Sequence, residues 1–566
     1  LTTDRQDDQP VIKKDLSFFY EETHNPVVQA AAMHGRVKVK TTAQQEAERQ
    51  AERRKKLTLY KQATGRIYGK RGRLELDAEL LQITAQVLLN NPDDATLWNI
   101  RRETFLFMKT KGKNVADLIK DELMLTQQAL MKNPKSYGAW WHRGWINKVL
   151  SSDPDWAREL QLTSLFLEKD DRNFHCWDYR RFVLERYPVP LEDELKFTRE
   201  KIDSNFSNYS SWHYRSNLLP KIFPGDQGST IKEDVLLEEL DLVLNAAFTD
   251  PQDQSAWMYH RWLLGRVEPT EDATFKRWYV SDGVLLVNFG KEVSQCELEV
   301  TANGSLLEVE WKAVGRTESA FAWTCHHTAL LSASTTVSVG DTPLTSDEPE
   351  WRLSSSRRVS LLTAAKSTVL LEQLANAKQL VQMEPDTKWP MLTTALLMCA
   401  LQDTQYHDET IAILDSLVRV DPARKNYYHD LRSKIVIEHH LTPYADVVNL
   451  VGQKLTCLRH CDLMSAANVV NLTDNLLQDR FLYQLRHCAR LSSLTLDGNP
   501  IQSLDFLEVL PQSLKDLSIK LCDIRNVDGL RHCKALKNVT ISSNLNPELV
   551  EAIRQSIPAD VQLQIC

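Results

Sequence analysis

The stretch Asn133-Pro134-Lys135-Ser136-Tyr137-Gly138-Ala139-Trp140-Trp141-His142-Arg143 sets the register of the first half of the chain. Its Trp140 belongs to a series, Trp98, Trp140, Trp177, Trp212 and Trp257, with spacings of 42, 37, 35 and 45 residues. Six residues before these stand Pro92, Pro134, Asp171, Phe206 and Pro251, each preceded by Asn or Asp (Asn91, Asn133, Asp170, Asn205, Asp250). Three residues after the first four stand Arg101, Arg143, Arg180 and Arg215, and the fifth has His260 followed by Arg261. A period of this length marks stacked helical hairpins, each burying its apolar face only against its neighbours. Asn/Asp-Pro is expected to close one helix and open the next, because Pro suits a first helical turn and the residue before it avoids the helical region. The Trp then falls one to two turns into the new helix. Apolar faces come from runs such as Leu80, Leu81, Ile83, Val87, Leu88 and Leu89, or Leu160, Leu162, Leu165, Phe166 and Leu167. The repeated Trp and Arg read in the first place as packing and inter-helix pairing.

The pattern returns in weaker form at Glu384-Pro385 before Trp389, and at Asp421-Pro422 before Tyr428 and Arg432. Between about 270 and 362 the period changes to two. Leu298 and Val300, then Leu307, Val309 and Trp311, alternate with polar residues around Asn303-Gly304, a hairpin signal. Val337 and Val339 read as a further strand, with a turn at Gly340-Asp341. A small β-sandwich fits this length, immunoglobulin-like by size alone, since Cys296, Trp311 and Cys325 lie too close together for that framework.

From about 445 a second repeat begins. Leu491-x-x-Leu494-x-Leu496-x-x-Asn499-x-Ile501 is a complete leucine-rich unit, and Cys522 replaces the Asn in the next. Leu450, Leu472, Leu496, Ile519 and Ile541 are 22, 24, 23 and 22 residues apart, and the Asn or Cys is expected to donate to carbonyls of the neighbouring coil. The fold class expected is multidomain and mainly α: an α-α superhelix of hairpin repeats over 33–269 and 363–443, an inserted β-sandwich over 270–362, and a leucine-rich repeat domain over 444–566. Leu1 is not an initiator and Met33 lies inside the chain, so residues 1–32 are expected to be a poorly ordered extension.

Composition excludes several classes. The 566 residues carry 42% hydrophobic and 25% charged side chains and a net charge of −8, which is globular and gives no global field for nucleic acid. Residues 36–73 are the local exception, with 13 Lys/Arg against 3 Glu, read as a solvated first helix or a surface for an acidic partner. No apolar run of membrane-spanning length and no leader are seen, and ten Cys are too few for a disulfide scaffold, so a cytoplasmic location is expected. His326-His327, His439-His440 and Cys457-x-x-His460-Cys461 invite a metal reading, but the spacing argues against a site. Arg-His-Cys recurs at 459–461, 486–488 and 531–533, at what reads as different phases of the repeat.

The Trp repeats over about 57–266 and 367–440 resemble those of protein prenyltransferase α subunits. The match is best at the stretch quoted first and at Asn173-Phe174-His175-Cys176-Trp177-Asp178-Tyr179-Arg180-Arg181. The inserted sandwich and leucine-rich tail look like the type II, Rab geranylgeranyl-transferring branch of that family in animals, and Met33-His34-Gly35-Arg36 is similar to its start. The resemblance implies a helical crescent around a β subunit that holds the zinc and most of the lipid site. It also implies a Rab escort protein, Rab GTPases and geranylgeranyl diphosphate as partners, and no metal bound by this chain alone. By the same resemblance Lys135 and Tyr137 support the departing diphosphate. Asn173 and His175 lie near the peptide substrate, Phe174 stands where farnesyltransferases have Tyr, and His34 could reach the partner's zinc. A farnesyl or type I subunit, which lacks insert and tail, and a non-catalytic helical scaffold are the alternatives.

Overall fold

The structure is a computed structural model. It describes residues 43–566 apart from 226–229, 265–274, 282, 295–297, 315–318, 332–336, 340–341, 345–351, 356–362, 402–403, 442–444, 460 and 544. Residues 1–32, His34 and the turn at 340–341 lie outside the described residues. The chain divides into two compact units, one ending at Tyr187 and one beginning at Pro188, and each is described by itself.

The first unit is helical: α1 (Ala43–Gly72), α2 (Ala78–Leu88), α3 (Ala95–Thr110), α4 (Ala116–Lys132), α5 (Tyr137–Trp145), α6 (Trp156–Lys169) and α7 (Phe174–Leu184). Residues 43–72 of the basic run form α1, whose described side chains between 46 and 62 are all exposed. A five-residue π-helical turn, Ile146–Leu150, continues α5. The apolar runs do bury Leu80, Leu81, Ile83, Val87, Leu88, Leu162, Phe166 and Leu167, but Leu165 points outward.

Helix starts correct one expectation. Pro92, Pro134 and Pro251 do not open helices; each lies in a turn, and the helix begins three residues later. The capping residue is four positions before each Trp: Asp94, Ser136 and Asn173 here, Asn208 and Asp253 in the second unit. Each of these short polar side chains accepts from a first-turn amide, which a Pro cannot do. The position six before the Trp is fixed for another reason. Its carbonyl accepts the indole N–H, at 2.8 Å from Trp98, Trp140, Trp177 and Trp212 and 3.1 Å from Trp257. A carbonyl needs no particular side chain, so Pro, Asp and Phe all serve there. All five rings are buried.

The second unit continues with α8 (Leu191–Ser204), α9 (Tyr209–Ile222), α10 (Glu233–Thr249) and α11 (Gln254–Leu263), then resumes with α12 (Ala364–Met383), α13 (Lys388–Ala400), α14 (His407–Val420) and α15 (Lys425–His440). One apolar core joins Trp212, Trp257, Leu370, Trp389, Leu396 and Tyr428 across the insertion. Here a short 3-10 helix does begin at Pro422, and Tyr428 donates to Asp421 at 2.9 Å.

The insertion has two antiparallel sheets. The first contains β1 (Phe275–Ser281), β2 (Val284–Ser294), β5 (Lys312–Ala313), β6 (Ser319–His326) and β9 (Arg352–Ser355), in the order β5-β6-β2-β1-β9. The second runs β4-β3-β7-β8, with β3 (Val300–Ala302), β4 (Ser305–Leu306), β7 (Val337–Val339) and β8 (Thr342–Leu344). The hairpin forms at Asn303-Gly304, where φ is 49° and 77° and Ala302 pairs with Ser305. Leu307 to Trp311 is not a strand. Trp311 is instead tucked in, its indole donating to the Leu298 carbonyl at 3.0 Å. Cys325 is a buried free thiol.

The chain ends in six parallel strands in sequence order: β10 (Val447–Asn449), β11 (Val469–Asn471), β12 (Ser493–Thr495), β13 (Asp516–Ser518), β14 (Asn538–Ile541) and β15 (Gln562–Ile565). Val448, Val470, Leu494, Leu517 and Val539 pair in register and point into one apolar core. Asn475 donates to the carbonyls of Leu450, Leu472 and Thr473, and Asn499 to those of Leu472, Leu496 and Asp497. Cys522 makes longer sulfur contacts to Leu496 and Lys520. Two of the three Arg-His-Cys triplets share a phase after all. Cys488 and Cys533 each follow a 3-10 helix and cap it with their own N–H, whereas Cys461 begins one.

Candidate functional site

In the first unit the stretch around Trp140 and its successor around Trp177 build one rim. Ser136 caps α5 and also donates to the Pro92 carbonyl at 2.8 Å, tying this turn to the preceding one. Gly138 sits where a Cβ would lie 2.5 Å from Cδ1 of Trp98, so only glycine permits that approach. Asn173 repeats the device one turn on. Its Oδ1 accepts from the amides of His175 and Cys176, and its Nδ2 donates to the Pro134 carbonyl at 2.9 Å. That carbonyl also takes the Trp140 indole, so the bond before Lys135 is held from two sides.

The four residues singled out by sequence therefore fall into two kinds. Lys135 and Tyr137 are solvent-facing, with Tyr137 70% exposed. Asn173 and His175 are buried beneath them. Lys135 lies 3.4 Å from Asp170 as an ion pair without a hydrogen bond. Tyr137 stands edge-on to His175 with centroids 4.1 Å apart, and exposed Phe174 lies against the same imidazole at 4.0 Å. Burial holds the His175 pKa below its ordinary value; Asp178 opposes that and the Lys135 charge assists it. A neutral imidazole under an exposed cation and an exposed phenol is an arrangement suited to an anion with an apolar neighbour.

Beneath the rim runs a network that the sequence showed only in half. Arg143 grips Glu159 through two bonds of 2.6 Å and also donates to the Leu123 carbonyl and Thr126. Tyr179 of the next repeat donates to the same Glu159 at 2.6 Å. Arg101, Glu122 and His142 repeat the scheme, as do Arg215, Glu239 and Tyr259 in the second unit. Burial would raise the Glu122 pKa, but Arg101 and His142 outweigh it and hold it at about 2. Burial keeps His142 below its ordinary pKa despite that carboxylate, so its Nε2–H donates and its Nδ1 faces Arg102. The fifth repeat is a neutral version: His260 bonds Gln373 at 2.6 Å. These glutamates were not found from sequence because they follow Arg at 21, 16 and 24 residues. A constant signal did exist, since a Thr precedes Arg101, Arg143, Arg180 and Arg215 by 17 residues and bonds each of them.

Among the described residues no group of three or more His, Cys, Asp and Glu is placed to hold a metal ion, and no helix is long and apolar enough to cross a membrane. Burial pushes the Cys457 thiol up to about 12.

Stacked hairpins with this Trp and Arg register define the class of prenyltransferase α subunits, and the protein prenyltransferase alpha subunit repeat matches residues 119–149, 156–187, 191–222 and 236–267. The geranylgeranyl transferase type-2 subunit alpha of Sus scrofa is 42% identical over 527 residues, 87% of this chain and 92% of the relative. That of Homo sapiens is 41% identical over 514 residues, covering 85% and 90%, and that of Dictyostelium discoideum 29% over 407 residues, covering 71% and 100%. The chain belongs to the family of geranylgeranyl transferase type-2 alpha subunits. It is thus one subunit of a prenyl-transferring enzyme, and the readings as a farnesyl or type I subunit or as a scaffold give way.

Proposed function

We propose that this chain pairs with a prenyltransferase β subunit in the cytoplasm. The heterodimer transfers the geranylgeranyl group of geranylgeranyl diphosphate to C-terminal cysteines of Rab GTPases presented by an escort protein. A bond forms between the cysteine sulfur and C1 of the isoprenoid while the C1–O bond breaks, and its electron pair stays on the diphosphate. Zinc, held by the β subunit, supplies a deprotonated thiol at neutral pH. On this reading this chain acts on the other end of the reaction. Lys135 brings a positive charge and Tyr137 an O–H donor toward the oxygen on which negative charge grows, and fixed donors there lower the barrier. His175 faces the peptide side. Asn173, buried and with its amide committed, is a positioning residue acting through the Pro134 carbonyl.

The observation that carries this reading is the exposed Lys135 and Tyr137 on a turn bolted from two sides. On the same reading the antiparallel sheets are an immunoglobulin-like sandwich over 270–362, between helical repeats at 33–269 and 363–443. The parallel stack with its Asn and Cys ladder is a leucine-rich repeat domain over 444–566. The test is co-expression with a β subunit and assay on a Rab. Prenylation is expected only when both subunits and the escort protein are present. Full activity of this chain alone, or equal rates without escort, would contradict the proposal.

A further inference from the structure

Strand β2 sends Leu285, Val287 and Phe289 into the core of the insertion. Leu286 and Asn288 alternate with them and so belong to the outer face of that sheet. Both are nonetheless buried, as is Ala322, the β6 residue paired with Asn288. The cover is the parallel stack, at the 3-10 helix Tyr483–His487 between β11 and β12. Leu286 packs with Ala466 and Ala489. His487 donates through Nδ1 to the Asn288 Oδ1 at 3.1 Å. Its ring stands edge-on to Phe321 of β6 with centroids 5.5 Å apart, and the Arg486 guanidinium lies 3.5 Å from the centre of the Phe321 ring.

Apolar contact alone would let one surface slide on the other, whereas a buried imidazole–amide bond is satisfied in one register. The contact also closes a loop. The insertion leaves the helices after α11 and returns at α12, and among the described residues none from either helix enters its core. The parallel stack joins the helices at α15 instead. Val436, Ile437 and Leu441 share its core, Arg432 donates to the Gln453 carbonyl at 2.6 Å, and the Thr456 amide donates to the Ser433 hydroxyl at 2.9 Å. We propose that the insertion is a brace, clipped to the stack through Leu286, Asn288 and Phe321, that restrains the stack from flexing at its junction with α15. Asn288 and His487 are the positioning pair of that clip.

The test uses the full chain paired with its β subunit, read by hydroxyl-radical footprinting and by amide exchange, both with mass spectrometry. In the unaltered protein Leu286 is expected to oxidise at least about tenfold more slowly than Leu306, which is 63% exposed. Ala489→Arg wedges the clip open from the stack side. It is expected to raise Leu286 oxidation at least about fivefold and to speed amide exchange over 450–458, at the junction with α15, at least about threefold. Trp323, whose indole donates to the Val293 carbonyl inside the insertion, reports whether the two sheets stay folded. Where it too becomes reactive, Phe321→Ala, which removes the ring beneath Arg486 without adding a charge, takes the place of the wedge. Leu286 as reactive as Leu306 in the unaltered protein, or exchange over 450–458 unmoved by the opened clip, would overturn the proposal.

Discussion

In the hairpin array the carbonyl of Pro134 takes two donors, the Trp140 indole at 2.8 Å and the Asn173 amide at 2.9 Å. In the parallel stack the carbonyl of Leu472 also takes two, from Asn475 at 2.8 Å and Asn499 at 2.9 Å. Both regions thus register one repeat on the next through a doubly bonded backbone oxygen. They differ in what lies beneath. The stack is mainly apolar inside, with Asp497 its one buried carboxylate among the described residues, and its ladder is neutral. The array buries charge, with Arg143, Glu159 and Tyr179 in one closed set. Neutral ladders can lose a member gradually, whereas a buried ion pair cannot lose one partner without stranding the other.

That contrast can be broken most sharply at Glu159. Glu159→Ala leaves the Arg143 guanidinium buried without its counter-charge and is expected to cost about 3–5 kcal/mol in denaturant unfolding. Replacing both together, Arg143→Met with Glu159→Leu, is expected to recover most of that loss. A double variant no better than the single one would mean the network is not what holds these hairpins.

The neutral fifth repeat sharpens the comparison through pH. Burial pushes the His260 pKa down to about 4, while an exposed imidazole titrates near 6.5. The unfolded chain therefore binds the proton first, and stability falls as pH drops from about 6.5 toward 4, by on the order of 3 kcal/mol. His260→Gln is expected to flatten the dependence in that window. An unchanged slope would show that other groups carry it.

The stack gives the smallest effects. Asn499→Ala removes three donor contacts and the acceptor for the Leu477 amide, and about 1–3 kcal/mol is expected. Cys522→Asn replaces long sulfur contacts with amide ones and is expected to gain under about 1 kcal/mol. A larger loss at Cys522 than at Asn499 would reverse the assignment of the ladder.

The two repeats were unequally legible. The stack could be read almost entirely, because its 22- to 24-residue period places apolar, Asn and Cys residues in fixed roles. The array showed Trp and Arg, but Pro misled as a helix start while Asp94, Ser136, Asn173, Asn208 and Asp253 held the true caps. Gln373, the partner of His260, lies 113 residues away across the insertion, where no spacing could point to it. At the rim, the resemblance offered Lys135, Tyr137, Asn173 and His175 as a set. Only coordinates separate the exposed pair from the buried pair, since Asn serves equally as a cap and as a ligand contact.

The central claim is that Lys135 acts on the departing diphosphate and not on assembly. Single-turnover prenylation of a Rab by the reconstituted heterodimer carrying Lys135→Ala tests it directly. The account predicts a rate lower by about a hundredfold with subunit association unchanged. A normal rate, or a loss explained wholly by dissociation of the subunits, would contradict it.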